Sequence, residues 1–151
     1  MRFVFKLQAL LNWKKNLEEL SQLRLAEKFK QLRSEEEEIQ RIIIQRLTYE
    51  QELKEKSIQG VEAAEYLTYQ HYFEKSYKDL LCREEKKELT LSEIELERGK
   101  LIGLTKQKKI LENLKEKRFR KFMYHLEREE RGKNDERVIS RYHSSPKVTF
   151  S

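Results

Sequence analysis

Apolar residues recur at alternating intervals of three and four along the first third of the chain, the spacing of one face of an α-helix. This spacing predicts a helix over about residues 5–57, with a shift of register near residues 20–25 where one apolar series gives way to another. Extended in the same steps, the second series also passes through Glu36, Arg46 and Glu50. The first series is Leu7, Leu10, Leu11, Leu17 and Leu20, and the second is Leu25, Phe29, Leu32, Ile39, Ile43 and Leu53.

The same spacing returns in the second half of the chain and predicts a helix over about residues 65–142. A change of register is expected near Gly99 and Gly103. The series before this change is Phe73, Tyr77, Leu80, Leu91, Ile94 and Leu101, and it also passes through Glu84, Lys87 and Arg98. The series after the change is Leu104, Leu111, Leu114, Phe122 and Leu126.

Residues that break helices are scarce, and their positions predict the topology. The chain has one proline, Pro146, and four glycines, of which Gly60 lies in the gap between the two helical patterns. Glycine can adopt positive φ and end a helix, so we expect the chain to reverse at a turn near residues 58–64. The predicted fold class is therefore all-α: an antiparallel two-helix coiled-coil hairpin over residues 1–145 with a longer C-terminal helix, followed by a flexible tail at 146–151.

The unequal helix lengths predict that part of the second helix has no partner in the hairpin. At 1.5 Å per residue, the first helix is about 78 Å long and the second about 117 Å. The first helix would then cover the second only as far as about residue 114, leaving an overhang of roughly 28 residues. The apolar side chains expected on this overhang are Phe119, Phe122, Met123, Tyr124 and Leu126.

Composition and charge argue against an enzyme and point to acidic partners. Charged residues form 40 % of the chain and hydrophobic ones 37 %, which suits one apolar seam better than a three-dimensional core. No catalytic or metal-binding constellation stands out, so we expect no cofactor and no enzymatic activity. The single Cys82 and the absence of an apolar run long enough to span a membrane indicate a cytoplasmic protein. The net charge of +6 favours acidic surfaces as partners.

Two zones stand out as candidate contact surfaces. Residues 106–121 carry eight lysines and arginines against Glu112 and Glu116, which on a helix forms a basic stripe. Just after the predicted turn, aromatic residues cluster opposite Tyr49 of the first helix, and two helices alone cannot bury all of them. Exposed tyrosines of this kind are enriched in energetically dominant contacts. The cluster comprises Tyr66, Tyr69, Tyr72, Phe73 and Tyr77.

An ordered set of short motifs resembles the FliJ family, the small soluble component of the flagellar type III export apparatus. The set begins with Phe3-x-Phe5-x-Leu7-Gln8-x-Leu10-Leu11 and continues with Tyr69-Gln70-x-Tyr72. It ends with Lys108-Lys109-x-Leu111-Glu112-x-Leu114-Lys115-Glu116-Lys117-Arg118 and Asp135-Glu136. The chain departs from some relatives at Asn134 and Arg137, which flank that last pair.

The resemblance implies a non-enzymatic stalk, similar to the central stalk of rotary ATPases and peripherally associated with the export apparatus at the inner membrane. It implies three partners: the hexameric export ATPase FliI, the cytoplasmic domain of the export gate protein FlhA, and export chaperones. No nucleic acid and no integral membrane segment are expected. For the ATPase contact we expect Lys108, Lys109, Lys115, Lys117, Arg118 and Phe122. For the gate contact we expect Ile42, Tyr49, Tyr69 and Tyr72.

Two alternatives stay open on the sequence alone. The first is the related stalk of an injectisome secretion system, which the physical properties of the sequence do not distinguish from the flagellar one. The second is a basic parallel coiled coil that acts as a scaffold or binds nucleic acid. A parallel coiled coil would not reverse at Gly60, so chain topology separates it from the hairpin.

Overall fold

The computed structural model describes residues 2–144, and within them the secondary structure is helical with no strand. Helix α1 spans Gln8–Gln59 and helix α2 spans Ala63–Ser144. Both helices therefore begin and end two or three residues away from the predicted limits. The turn between them, residues 60–62, is shorter than the seven residues expected. The predicted tail at 146–151 lies outside the described residues.

The chain reverses at Gly60, as the position of this glycine predicts. Gly60 has φ of +100°, a left-handed conformation that side chains disfavour, and the turn ends where α2 begins at Ala63. Lys56 near the end of α1 pairs with Glu65 in the first turn of α2, with 2.7 Å between Nζ and Oε1. This reversal contradicts the alternative of a parallel coiled coil.

The chain divides into two compact units, each containing part of both helices. Unit 1 comprises residues 1–16 and 105–151, and unit 2 comprises residues 17–104. Within each unit the segments of α1 and α2 run antiparallel and pack against each other. The fold class is thus the predicted all-α antiparallel hairpin with a longer C-terminal helix.

Unit 1 has a compact apolar core. Phe5, Leu11 and Leu111 are buried, and Phe3, Leu7 and Leu114 pack against them. The segment before α1 contributes directly, because the Phe3 ring lies 5.3 Å from that of Phe119 and 5.5 Å from that of Phe122. The prediction that α2 has no partner beyond about residue 114 is therefore wrong. The non-helical residues 3–5 extend the contact with α2 past that point. Every residue from Glu127 to His143 is exposed.

In unit 2, the positions of α1 that face α2 follow alternating steps of three and four without interruption. The predicted register shift near residues 20–25 is therefore wrong. Leu10, Leu20 and Phe29, which the apolar series assigned to the seam, are 38 %, 44 % and 39 % exposed. The buried and half-buried positions that follow these steps are Glu18, Ser21, Leu25, Lys28, Leu32, Glu35, Ile39, Ile42, Arg46, Tyr49 and Leu53, and Leu17, Glu38 and Ile43 beside them are also half-buried.

Helix α2 shows the same regular spacing, and four of the nine predicted seam positions, Tyr77, Glu84, Leu91 and Arg98, are replaced by the residue before them. Ser76 and Thr90 are buried, whereas their neighbours Tyr77 and Leu91 are 56 % and 41 % exposed. The spacing passes Gly99 and Gly103 unchanged, so the expected change of register there is also wrong. The buried and half-buried residues of α2 that follow this spacing in unit 2 are Tyr69, Phe73, Ser76, Leu80, Arg83, Lys87, Thr90, Ile94, Glu97, Leu101 and Leu104.

Candidate interaction surfaces

Polar side chains from the two helices pair across the seam of unit 2. Thr90 Oγ1 donates to Glu35 Oε1 at 3.0 Å, and Ser21 Oγ donates to Glu97 Oε1 at 2.9 Å. These partners explain why the displaced positions tolerate polar residues, because a buried polar group costs little once it is hydrogen-bonded.

Two basic residues of α1 also reach α2 in this seam. Arg46 Nη1 donates to the carbonyl oxygen of Phe73 at 2.7 Å and to Ser76 Oγ at 2.5 Å. Lys28 Nζ lies 2.5 Å from Glu93 Oε2, with both side chains more than a third exposed. Exposed ion pairs contribute little to stability, so the pair between Lys28 and Glu93 matters more for aligning the two helices than for stabilising them.

The predicted gate residues lie together in unit 2, close to the turn. The ring of Tyr49 lies 4.7 Å from that of Tyr72 and 6.3 Å from that of Tyr69, both in edge-on geometry. We call these three residues the tyrosine cluster. With Glu65 and Thr68 they line a cleft of about 390 Å³. The cluster therefore combines half-buried aromatic faces with an adjacent cavity that is open to a ligand side chain.

The hydroxyl groups of the tyrosine cluster differ in their surroundings. Tyr69 Oη accepts from Lys56 Nζ at 3.0 Å and donates to Glu52 Oε2 at 3.3 Å. The hydroxyl of Tyr72 is buried and has no hydrogen-bond partner among residues 2–144. Burial raises the pKa of Tyr72, with the nearby Tyr49 adding to the shift. An unpaired buried hydroxyl is a site at which a bound partner could supply the missing bond.

Ile42, the fourth predicted gate residue, is not on the surface. Its side chain is 5 % exposed and belongs to the seam between the helices. Together with Tyr72 it lines a second cleft, of about 470 Å³. Ile42 therefore lies between the helices and borders this cleft, and its role as a gate contact stays a prediction.

The predicted ATPase residues lie in unit 1 and divide into two groups. Lys109, Lys117 and Arg118 are exposed, whereas Lys108, Lys115 and Phe122 are half-buried. The half-buried residues take part in the packing of the unit: Lys115 lines a cleft of about 410 Å³ with Phe3 and Leu11, and Phe122 packs on Phe3. The Arg118 guanidinium lies 5.7 Å from the ring of Phe5, within the range of a cation–π contact.

Charge is divided unequally between the two units. Unit 1 contains 18 lysines and arginines against 7 aspartates and glutamates, a net charge of +11. Unit 2 contains 15 against 20, a net charge of −5. The net charge of +6 conceals this division, because unit 1 combines two segments that are distant in the sequence. The N-terminal segment adds Arg2, Lys6, Lys14 and Lys15 to the basic stripe and contains no acidic residue.

Residues 2–144 contain no group of three histidine, cysteine, aspartate or glutamate side chains that could hold a metal ion. Within the same range, no helix has the length and apolarity needed to cross a bilayer. The protein is therefore an all-α antiparallel helical hairpin of the coiled-coil type, with clefts on its surface and an unequal distribution of charge.

The particular family follows from a match to a family model. The model described as "Flagellar FliJ protein" matches residues 3–147 of the 151-residue chain. The chain therefore belongs to the FliJ family, and it is a protein associated with flagellar export. No curated protein and no solved structure matches the chain. The flagellar family model favours the flagellar over the injectisome alternative.

Proposed function

We propose that this chain is a non-enzymatic coupling stalk of the flagellar export apparatus, with a different partner for each unit. Unit 1 binds the export ATPase ring, and the tyrosine cluster of unit 2 binds the cytoplasmic domain of the export gate. Export chaperones are further partners of the same protein. The match to the FliJ family over residues 3–147 carries the link to export.

The charge division supports the assignment of the ATPase to unit 1. A surface with a net charge of +11 attracts an acidic rim and accelerates association with it. Lys109, Lys117 and Arg118 present their charges on the surface of unit 1, and the ring of Phe119 in the same unit is 45 % exposed. A basic surface that includes an exposed aromatic side chain combines steering charge with an apolar anchor.

The tyrosine cluster supports the assignment of the gate to unit 2. Its rings pack edge to face within the hairpin, so little side-chain entropy is lost when a partner binds them. The neighbouring cleft of about 390 Å³ can accept one side chain of the partner. Ile42 is buried between the helices and lines the second cleft together with Tyr72.

The ATPase assignment is tested by reversing charge at two exposed positions, Lys109→Glu with Lys117→Glu. We expect affinity for the purified export ATPase to fall at least about tenfold, because two favourable pairs become repulsive. We also expect the wild-type affinity to decrease as salt increases. The matched control is Lys54→Glu with Lys78→Glu, which makes the same charge change at exposed positions of unit 2. Equal loss in both variants, or no loss in the first, would show that the assignment is wrong.

The gate assignment is tested by Tyr69→Ala, measured as binding to the purified cytoplasmic domain of the gate protein. Removal of a half-buried aromatic anchor should weaken binding about tenfold or more. Tyr77→Ala is the control, since Tyr77 is 56 % exposed on the same helix and outside the cluster. Gate binding that survives Tyr69→Ala but not Tyr77→Ala would place the contact on a different face.

A further inference from the structure

The second cleft beside Tyr72 has a polar lining that the gate assignment does not use. This cleft, of about 470 Å³, lies in unit 2 and is lined by residues of both helices, among them Gln45, Tyr72 and Lys75. We call it the Lys75 cleft. Tyr72 also lines the cleft of the tyrosine cluster, so one side chain borders both cavities. A partner that contacts the tyrosine cluster therefore lies next to the Lys75 cleft.

Four charged side chains at the Lys75 cleft and beside it pair with one another. Arg41 on the lining donates to Glu38, and Nη2 of Arg83 lies 3.7 Å from Oε1 of the same glutamate. Arg83 Nε also donates to Oδ1 of Asp79, on the lining, at 3.2 Å. Two cations and two anions thus compensate one another. This network contributes no net charge to the cleft.

Three other polar groups on the lining have no partner among residues 2–144, and each of them is a hydrogen-bond donor. The hydroxyl of Tyr72 is buried and unpaired. The ammonium of Lys75 and the side-chain amide of Gln45 are exposed and make no ion pair or hydrogen bond within the same range. The hydroxyl of Ser76, by contrast, is already bonded within the chain. The groups still available at the cleft therefore include one unpaired positive charge and one buried donor.

We infer that the Lys75 cleft binds an aspartate or glutamate side chain of the export gate's cytoplasmic domain, which accepts a hydrogen bond from Tyr72 and pairs with Lys75. This inference rests on the proposed function, because it takes the gate to be the partner of the tyrosine cluster. An ionised carboxylate only accepts hydrogen bonds and offers two oxygens, so it matches a lining of unpaired donors. Hydrogen bonds to an ionised acceptor are about twice as strong as those between neutral groups.

The charges around the Tyr72 hydroxyl favour a negative acceptor. Burial and the nearby Tyr49 raise the pKa of Tyr72, whereas the positive charges of Arg46 and Arg41 act in the opposite direction. Both arginines are therefore close enough for their potential to act at the hydroxyl, where it attracts a carboxylate. Because unit 2 has a net charge of −5, this locally positive site differs from the rest of the unit. Such a contrast fixes where an acidic side chain binds.

The hydroxyl becomes accessible through side-chain movement alone. It has almost no exposed area in the free chain, so the carboxylate reaches it only when a neighbouring side chain moves aside. The side chain of Arg41 is 65 % exposed and Gln45 is exposed, so both can change rotamer while the helices stay in place. An unpaired buried hydroxyl is unfavourable in the free chain. Binding therefore gains a hydrogen bond at Tyr72 without breaking one.

The first test measures binding of full-length variants to the purified cytoplasmic domain of the gate protein. Tyr72→Phe should weaken binding about tenfold, because a hydrogen bond to a charged group is lost while the ring stays. Lys75→Gln should weaken it about threefold, as expected for an exposed ion pair. The matched controls are Tyr66→Phe and Lys78→Gln, which alter exposed residues of α2 outside the cleft and should leave the affinity unchanged.

The outcomes separate this inference from the gate assignment itself. If Tyr69→Ala weakens gate binding while Tyr72→Phe and Lys75→Gln do not, the gate assignment stands and the inference is overturned. Binding that none of the three variants affects overturns both. Thermal unfolding of the free Tyr72→Phe chain is measured alongside, and its Tm should be no lower than that of the wild type, because the hydroxyl has no partner there. A lower Tm together with weaker binding would indicate a structural role and overturn the inference.

A double-mutant cycle distinguishes a carboxylate from an uncharged acceptor. Each acidic residue on the surface of the gate domain is replaced in turn by its amide, and binding to the wild-type and Tyr72→Phe chains is measured. At the residue that enters the Lys75 cleft, the loss caused by Tyr72→Phe should shrink about threefold or more, because the charge-assisted bond is already gone. Losses that are additive for every replacement would overturn the carboxylate and indicate an uncharged acceptor, such as a backbone carbonyl.

Discussion

In unit 1, α1 and the segment before it pack on α2 through the buried apolar residues Phe5, Leu11 and Leu111, whereas the seam of unit 2 buries polar residues as well. The buried polar residues of unit 2 are Glu18, Ser21, Ser76 and Thr90, alongside Ile39, Ile42 and Ile94. Apolar contacts are not directional, so the core of unit 1 favours close packing but specifies register weakly. Paired polar groups are satisfied in one alignment only, and in coiled coils such groups specify register at a cost in stability.

The two units therefore differ both in how the helices pack and in their charge. Unit 1 combines an apolar core with a net charge of +11, which suits a compact basic surface. Unit 2, with a net charge of −5, holds the tyrosine cluster in a defined alignment of two helices.

Leu11→Ala should have the largest effect, because Leu11 is 1 % exposed at the centre of the core of unit 1. The lost contacts and the cavity should cost about 2–4 kcal/mol of unfolding free energy. Urea unfolding followed by the fluorescence of Trp13, the single tryptophan, which lies in unit 1, measures this loss. Leu20→Ala is the control. Leu20 is 44 % exposed, so a loss as large as that of Leu11→Ala would contradict the observed register.

Thr90→Val should cost about 1–2 kcal/mol, because it removes a hydrogen-bond donor from the half-buried carboxylate of Glu35. Replacing both partners, as Glu35→Leu with Thr90→Val, should return the stability at least to the wild-type value, since no unpaired polar group is left. Thermal unfolding by circular dichroism measures both variants. A double variant less stable than Thr90→Val alone would mean that this pair contributes net stability and not only alignment.

Tyr72→Phe should be neutral or stabilise unit 2 by about 0.5–1 kcal/mol, because it removes a buried hydroxyl that has no partner. The same residue predicts a pH dependence. Its pKa is raised in the folded state, so the unfolded chain ionises first and stability should fall as pH rises above about 10. Urea unfolding between pH 8 and about 11 should show a smaller decrease for Tyr72→Phe than for the wild type. Identical pH profiles would show that the pKa of Tyr72 does not differ between the folded and the unfolded chain.

Salt should produce the smallest effect, and it should be confined to unit 1. Screening of the +11 charge reduces repulsion within this unit. Between about 0.02 and 0.3 M NaCl, hydrogen-exchange protection at residues 105–122 should therefore rise about twofold. Amides of unit 2 serve as the internal control, since their charge is smaller and of opposite sign. An equal rise in both units would indicate a general salt effect on folding.

Much of the fold could be predicted from the sequence because helices depend on local properties. The apolar spacing and the scarcity of breakers indicated two helices, and Gly60 was placed correctly at the reversal. Apolar spacing predicts the seam less well, because a polar residue with a hydrogen-bond partner on the other helix is buried as readily as an apolar one. Ser76 and Thr90 are buried in place of Tyr77 and Leu91, since Arg46 and Glu35 supply their hydrogen bonds from the other helix.

The candidate surfaces show the same limit. Tyr49, Tyr69 and Tyr72 were expected together and lie together, whereas Ile42 was assigned to a surface from which the seam removes it. Among the basic residues, Lys115 lines a cleft with Phe3 and is half-buried, whereas Lys109, Lys117 and Arg118 are exposed. Contacts of this kind depend on side chains more than 100 residues apart in the sequence.

Two helices, the position of the turn, the excess of basic charge and the resemblance to FliJ can all be recognised in the sequence. These follow from local spacing, composition and short motifs, which need no knowledge of the partner helix. The packing of α1 against α2 is needed to establish which face of each helix is buried, that both registers run without a shift, and that charge separates into +11 and −5. The physical reason is that burial and pairing are properties of two helices together, so a polar residue enters the seam when its partner is present.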